Sequence, residues 1–223
     1  MILPLTWFGH SGLGKFRVGI EYPQRPPSMP LSVQLLLGLP PYGPMAMSFP
    51  KEWGRRGQEG VVVEFKNDDF CWVGNFSRGL YGITFAATHT NQRDAVVVAK
   101  GDLWCVDPVQ RTASLVLQSI ESAIEVRNPD GWLLNIQGLA IARFGPDGLL
   151  WHTKRLSWDG FTQLALVGDE LTGLACEPSE NSWAPFQVDI RTGSSTGGSH
   201  FPEKSLTSNW ERLANPDTAG SVE

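Results

Sequence analysis

Four features of this sequence have residue types and spacings that could do chemistry. Gly9-His10-Ser11-Gly12-Leu13-Gly14-Lys15 fits the first seven positions of a phosphate-binding GxxxxGK loop. The eighth position needs a Ser or Thr hydroxyl to hold magnesium, and Phe16 stands there. Such a loop must also open a helix whose N-terminus meets the phosphate, whereas residues 16–21 read as a strand that stops before Pro23. The segment therefore reads as a hairpin turn, and Lys15 is expected to bind no nucleotide. Ser11 resembles a nucleophile elbow, but Leu13 replaces its second glycine.

His10, His89, His152 and His200 include no i,i+4 pair and form no ligand pattern with the cysteines, so no metal site is expected. Asp147, Asp159, Asp169 and Asp189 recur at turns. Paired carboxylates could hydrolyse glycosides, yet turns favour Asp simply because its side chain bonds the nearby backbone. No DxDxDG calcium loop is present. The sequence thus points to no catalytic residue and no cofactor.

The densest group of binding-type residues is Trp151-His152-Thr153-Lys154-Arg155-Leu156-Ser157-Trp158-Asp159-Gly160. A strand over 149–156 would put Trp151, Thr153 and Arg155 on one face and His152, Lys154 and Leu156 on the other. Asp159-Gly160 then supplies a turn, and Trp158 at a turn either covers a sheet edge or contacts a partner. Trp and Arg are favoured interface anchors, which makes Trp151, His152, Arg155, Trp158 and Asp159 the candidate binding residues. The structural alternative has Trp151 in the core and Arg155–Asp159 as a local ion pair.

These residues need elements to hold them. The chain has 223 residues, 41% apolar and 18% charged, with 24 Gly, 16 Pro and 9 Trp. That suits one sizeable core built of short strands and many turns. The net charge is −5, and the only tight basic group is Arg55-Arg56 with Lys51 nearby, too little for a nucleic-acid face. No run approaches the ~18 apolar residues of a membrane span, so no membrane role is expected. The N-terminus lacks a signal-peptide pattern, and the expected compartment is cytoplasmic. Cys71, Cys105 and Cys176 are odd in number, widely spaced and set among apolar residues, which predicts buried, independent thiols.

Residues 1–58 read as two short strands (3–8 and 16–21) followed by a covering segment with eight prolines between 22 and 50. Residues 59–201 read as the β domain. It has runs such as Val61–Phe65, and turns at Lys100-Gly101-Asp102, Pro129-Asp130-Gly131, Pro146-Asp147-Gly148 and Gly168-Asp169. Residues 109–124 satisfy a helical face and a pair of strands equally well, and helix in total should stay below about a fifth of the chain. Residues 202–223 read as a loose tail.

Two self-similarities appear. Gly138-Leu139-Ala140 followed by Trp151 aligns with Gly173-Leu174-Ala175 followed by Phe186 at an offset of 35. Leu103-Trp104-Cys105-Val106-Asp107 resembles Pro185-Phe186-Gln187-Val188-Asp189, with the aspartates 82 residues apart, or two periods of about 41. Units of this kind must stack to bury an apolar face, with Trp72, Trp104, Trp132, Trp151 and Phe186 between the sheets. The expected fold is mostly β, made of antiparallel meander repeats. It would be a partial propeller-like stack or a twisted barrel or sandwich, with a proline-rich N-terminal cover. The residues Gly148–Gly160, then GDELTGLA and FQVDIRTG, resemble an uncharacterised bacterial β-repeat family over about residues 60–200. The resemblance implies a β-repeat fold and no transferable activity. The expected function is a non-catalytic β scaffold for a protein partner, with carbohydrate or small-ligand binding, including a hydrolase using turn aspartates, as the alternative.

Overall fold

The structure is a computed structural model and describes residues 30–199 apart from 44, 55–56, 128–129 and 180. The glycine-rich loop, the strands expected at 3–8 and 16–21, Arg55-Arg56, His200 and the tail lie outside the described residues. Sixteen strands and one short helix, α1 (Lys51–Gly54), are present among them. The strands form four sheets of four. The first contains β1 (Ser32–Leu36), β2 (Met47–Phe49), β3 (Val61–Lys66) and β4 (Cys71–Phe76). The second contains β5 (Phe85–Thr88), β6 (Ala95–Ala99), β7 (Asp102–Asp107) and β8 (Thr112–Leu117). The third contains β9 (Ile120–Arg127), β10 (Asp130–Ile136), β11 (Ala140–Gly145) and β12 (Gly148–His152). The fourth contains β13 (Phe161–Val167), β14 (Glu170–Glu177), β15 (Ser182–Asp189) and β16 (Ser195–Gly197). The last three are simple antiparallel meanders, and no sheet closes into a barrel. Among the described residues, no helix is long and apolar enough to cross a membrane.

The proline-rich segment does more than cover. Between its prolines, Ser32–Leu36 pairs antiparallel with β3, and Met47–Phe49 pairs parallel with β4 at the other edge. Both are edge strands, where proline-flanked chain is tolerated. The ambiguous stretch 109–124 resolves as strands β8 and β9, because the neighbouring sheets cover both faces of the second and third sheets and a helix would fill neither gap. The β6–β7 hairpin has Lys100 at φ 52° and Gly101 at φ 90°, the pair of left-handed residues that a two-residue turn of this hand requires.

Core residues lie in three layers between successive sheets. Phe65, Trp72, Phe76, Val97 and Trp104 fill the first gap; Val98, Leu103, Leu134 and Phe144 the second; Ile141, Leu171, Phe186 and Val188 the third. Trp132 and Trp151 pack against the second and third layers, so all five predicted aromatics sit between sheets. In β6, Ala95, Val97 and Ala99 face one gap while Val96 and Val98 face the next, so every residue is buried. Strands of the fourth sheet alternate instead, as a sheet with one covered face must.

Strand alternation also corrects the cysteine expectation. All three thiols are free, but Cys71 is exposed and Cys105 and Cys176 are half-buried. Each is adjacent in its strand to a core residue (Trp72, Trp104 or Ala175), so each points to the opposite face.

Asp107 and Asp189 both end the third strand of their sheets. Asp107 Oδ1 accepts the N–H groups of Val109 and Gln110; Asp189 Oδ1 accepts those of Arg191 and Thr192. The residue after each aspartate then offers its carbonyl to a tryptophan of the preceding sheet. Trp72 Nε1 donates to Pro108 O at 2.9 Å, and Trp151 Nε1 to Ile190 O at 3.2 Å. The alignment at offset 35 relates non-equivalent strands, since Gly138 precedes the third strand of its sheet and Gly173 lies in the second strand of its own. A Trp72→Phe variant keeps a ring in the core and removes the indole donor. It should lose about 1–2 kcal/mol in urea unfolding with an unchanged β spectrum; an unaltered midpoint would show that this bond does not join the sheets.

Candidate functional site

The expected strand over 149–156 ends at His152. Thr153 is the cause: its N–H donates to Ile141 O at 2.8 Å, while its Oγ1 accepts the Ile141 N–H at 3.1 Å. The side chain takes the place of the next ladder residue and the chain departs from β11. Leu156 and Ser157 then both bond Leu139 O. This breaks the predicted alternation: Thr153 and Leu156 are both buried, while His152 and Lys154 are exposed. His152 Nδ1 lies 3.2 Å from Thr153 O.

The link from the third to the fourth sheet is pinned at several points. Ser157 is fully buried, its Oγ accepting the Cys176 N–H at 3.0 Å and donating to Gly160 O. Trp158 N–H donates to Cys176 O at 3.2 Å, and Gly160 N–H to Gly138 O at 2.9 Å. Gly160 has φ 107°, the left-handed turn its sequence position suggested. Trp151 is half-buried in the third layer, where its ring meets Gly193; a Cβ there would lie 2.7 Å from the indole. Trp151 therefore belongs to the core.

Arg155 and Trp158 come together. The guanidinium lies 5.2 Å from the Trp158 ring centroid and donates to Ser157 O at 2.9 Å and Trp158 O at 2.7 Å. Both of these bonds go to backbone carbonyls; burial lowers the pKa of the guanidinium, and the Asp159 charge partly offsets this. Burial first, and then the Asp159 charge, raise the Glu121 carboxyl above its ordinary range. Trp158 is 46% exposed. Trp183, which the sequence reading did not single out, is 47% exposed and stands opposite Cys176 across β14–β15. Trp158 and Trp183 are thus both backbone neighbours of Cys176, at one end of β14. On the outer face of that sheet lies a depression of about 470 Å³ lined by Gln163, Leu174, Pro185 and Gln187.

Of the turn aspartates, Asp169 and Asp189 come together around Arg191, while Asp147 and Asp159 lie at other turns. Asp147 lies between β11 and β12, and Asp169 and Asp159 lie at opposite ends of β13. Asp169 is paired with Arg191 at 2.7 Å, and backbone N–H donors from Thr192 and Arg191 lower the Asp189 carboxyl.

Of the two described histidines, His152 is exposed and His89 is deeply buried. Its Nδ1 accepts the Asn91 N–H at 3.1 Å, and its ring meets Phe144 at 5.2 Å and Trp132 at 6.4 Å. Burial lowers its pKa, partly offset by Asp94.

No family model matches the chain, and no curated protein matches it. Apo AztD from Citrobacter koseri is a solved structure with a TM-score of 0.35 and 11% identity, covering 63% of this chain and 42% of that one. This chain thus spans less than half the length of AztD, and a likeness of that size carries no argument about fold or function.

Two measurements follow. Ser157→Ala leaves the buried Cys176 N–H with one acceptor fewer and should cost about 1–2 kcal/mol in urea unfolding, marking the link as structural. For His89, the unfolded chain holds more protons than the folded one between the lowered value and the ordinary 6.5. Its contribution to stability is therefore intact above pH 6.5 and is lost as pH falls from there toward the lowered value. Urea midpoints taken across that range should show this slope in the wild type and a shallower one in His89→Gln; equal slopes would remove His89 as the cause.

Proposed function

We propose that this chain is a non-catalytic, propeller-like β scaffold that binds a protein partner at the corner formed by Trp158, Arg155 and Trp183. The observation that carries this reading is that two half-exposed tryptophans are backbone neighbours of Cys176, with a guanidinium over the ring of one of them. Trp and Arg are the residues most often found to dominate binding energy at protein interfaces. The corner is built on pinned backbone, so little ordering entropy is lost when a partner docks. Successive stacked meanders with equivalent turns at Asp107 and Asp189 support the propeller-like, repeating reading. Three free thiols suit a reducing cytoplasm. A bacterial origin rests on the sequence resemblance.

The test pairs thermal melting with affinity capture from the source cells. Trp158→Ala and Trp183→Ala should melt within a few degrees of the wild type, because both side chains are about half exposed. Each should lose a partner that the wild type retains. If both variants melt as the wild type does and still hold the same partner, the corner is not the binding site.

A further inference from the structure

Away from that corner, the second and third sheets diverge at one end of their shared layer and leave a cavity of about 650 Å³. That is within the range of about 300–1,000 Å³ typical of small-ligand pockets. The wall on the third sheet is one sheet face: Glu125 stands directly opposite Trp132 across β9–β10, and Arg127 follows two residues on, on the same side. The wall on the second sheet is Phe85 with Thr90 and Gln92 from the β5–β6 hairpin. Phe85 and Trp132 rings lie 6.1 Å apart and tilted by 36°. The Thr90 hydroxyl is buried and has no hydrogen-bond partner.

We propose that this cavity binds a neutral saccharide of one or two rings. A sugar ring has apolar C–H faces and a rim of hydroxyls, which matches an aromatic wall edged by a carboxylate, a guanidinium and an amide. Glu125 accepts hydroxyl protons, Arg127 donates to hydroxyl oxygens, and Gln92 does either. The two charges cancel, so the site favours an uncharged ligand over a sugar acid or an amino sugar. Buried His89, seated against Trp132, holds that wall from behind and adds no charge at neutral pH because burial weakens its hold on a proton.

Calorimetric titration of the full chain with glucose, arabinose, maltose, cellobiose, lactose and sucrose tests this, with glucuronate and glucosamine as charged arms. At least one neutral sugar should give saturable binding in the micromolar to millimolar range. Glu125→Gln and Arg127→Gln, both at exposed positions, should each keep the melting temperature and weaken that binding about tenfold or more. Trp158→Ala should bind sugar as the wild type does. The proposal fails if no neutral sugar saturates at tens of millimolar. It also fails if glucuronate or glucosamine binds more tightly than every neutral sugar, or if both pocket variants bind unchanged.

Discussion

A four-stranded meander carries side chains on two faces and can cover neither by itself. Here the second and third sheets have both faces covered, by the sheets on either side of them. Fully burying one Val or Leu side chain is worth about 1.5–3 kcal/mol, and β6 alone buries three valines on two faces. The rest of the architecture follows from the need to keep adjacent sheets in face-to-face contact. Central strands become continuous apolar runs, and the fourth sheet keeps an alternating pattern with an open face. The aromatic residues pack in the gaps together with Val, Leu, Ile and Ala side chains.

Stacking by apolar contact alone leaves adjacent sheets free to slide. The indole donors of Trp72 and Trp151 remove that freedom, because each bond has one acceptor at one turn. Asp107 and Asp189 fix those turns by accepting two backbone N–H groups each. Gly193 completes the second arrangement, since any side chain at that position would collide with the Trp151 ring. The first and last gaps thus share one device. Across the middle gap, Ile120 N–H donates to Gly101 O at 2.9 Å and its carbonyl accepts the Ile83 N–H at 3.2 Å, beside the packed rings of His89, Trp132 and Phe144. The proposed saccharide cavity opens beside that middle gap.

The two proposed sites divide along this architecture. The corner of Trp158, Arg155 and Trp183 belongs to an outermost sheet, whose far side no described strand covers. Large, rigid side chains there can meet a macromolecule without disturbing the core. The cavity of Glu125, Arg127 and Trp132 lies at the mouth between two sheets, with its charged rim exposed to solvent. The two proposed sites share no residue, so under these proposals a protein partner and a small ligand would not compete for the same side chains.

Much of the local structure is legible in the sequence, because it is set by neighbours a few residues apart. Lys100-Gly101 specifies a hairpin through φ, Asp107 and Asp189 specify equivalent turns through side-chain acceptors, and the spaced tryptophans announce rings between sheets. The packing of Arg155 on the Trp158 ring, three residues on, is local too, although the sequence suggested Asp159 as the partner of Arg155. Other features depend on what lies across a gap. Residues 109–124 satisfy helix and strand periodicity alike, and only the flanking sheets decide for strands. The proline-rich segment contributes β1 and β2 because the first sheet has edges to pair. The strand after Trp151 stops at His152 because Thr153 meets Ile141, a contact across the sheet. Glu125 and Arg127 carry an i,i+2 signal that means something only once residues 120–127 are known to be a strand. Phe85 and Gln92, which face them, come from another sheet. The sequence by itself therefore determined the β class, the turns and the inter-sheet aromatics, since these rest on local φ, side-chain bonding and residue size. Only the tertiary structure decided which faces are covered, which thiols are exposed and which polar groups share a cavity, since burial is a property of the neighbouring sheet.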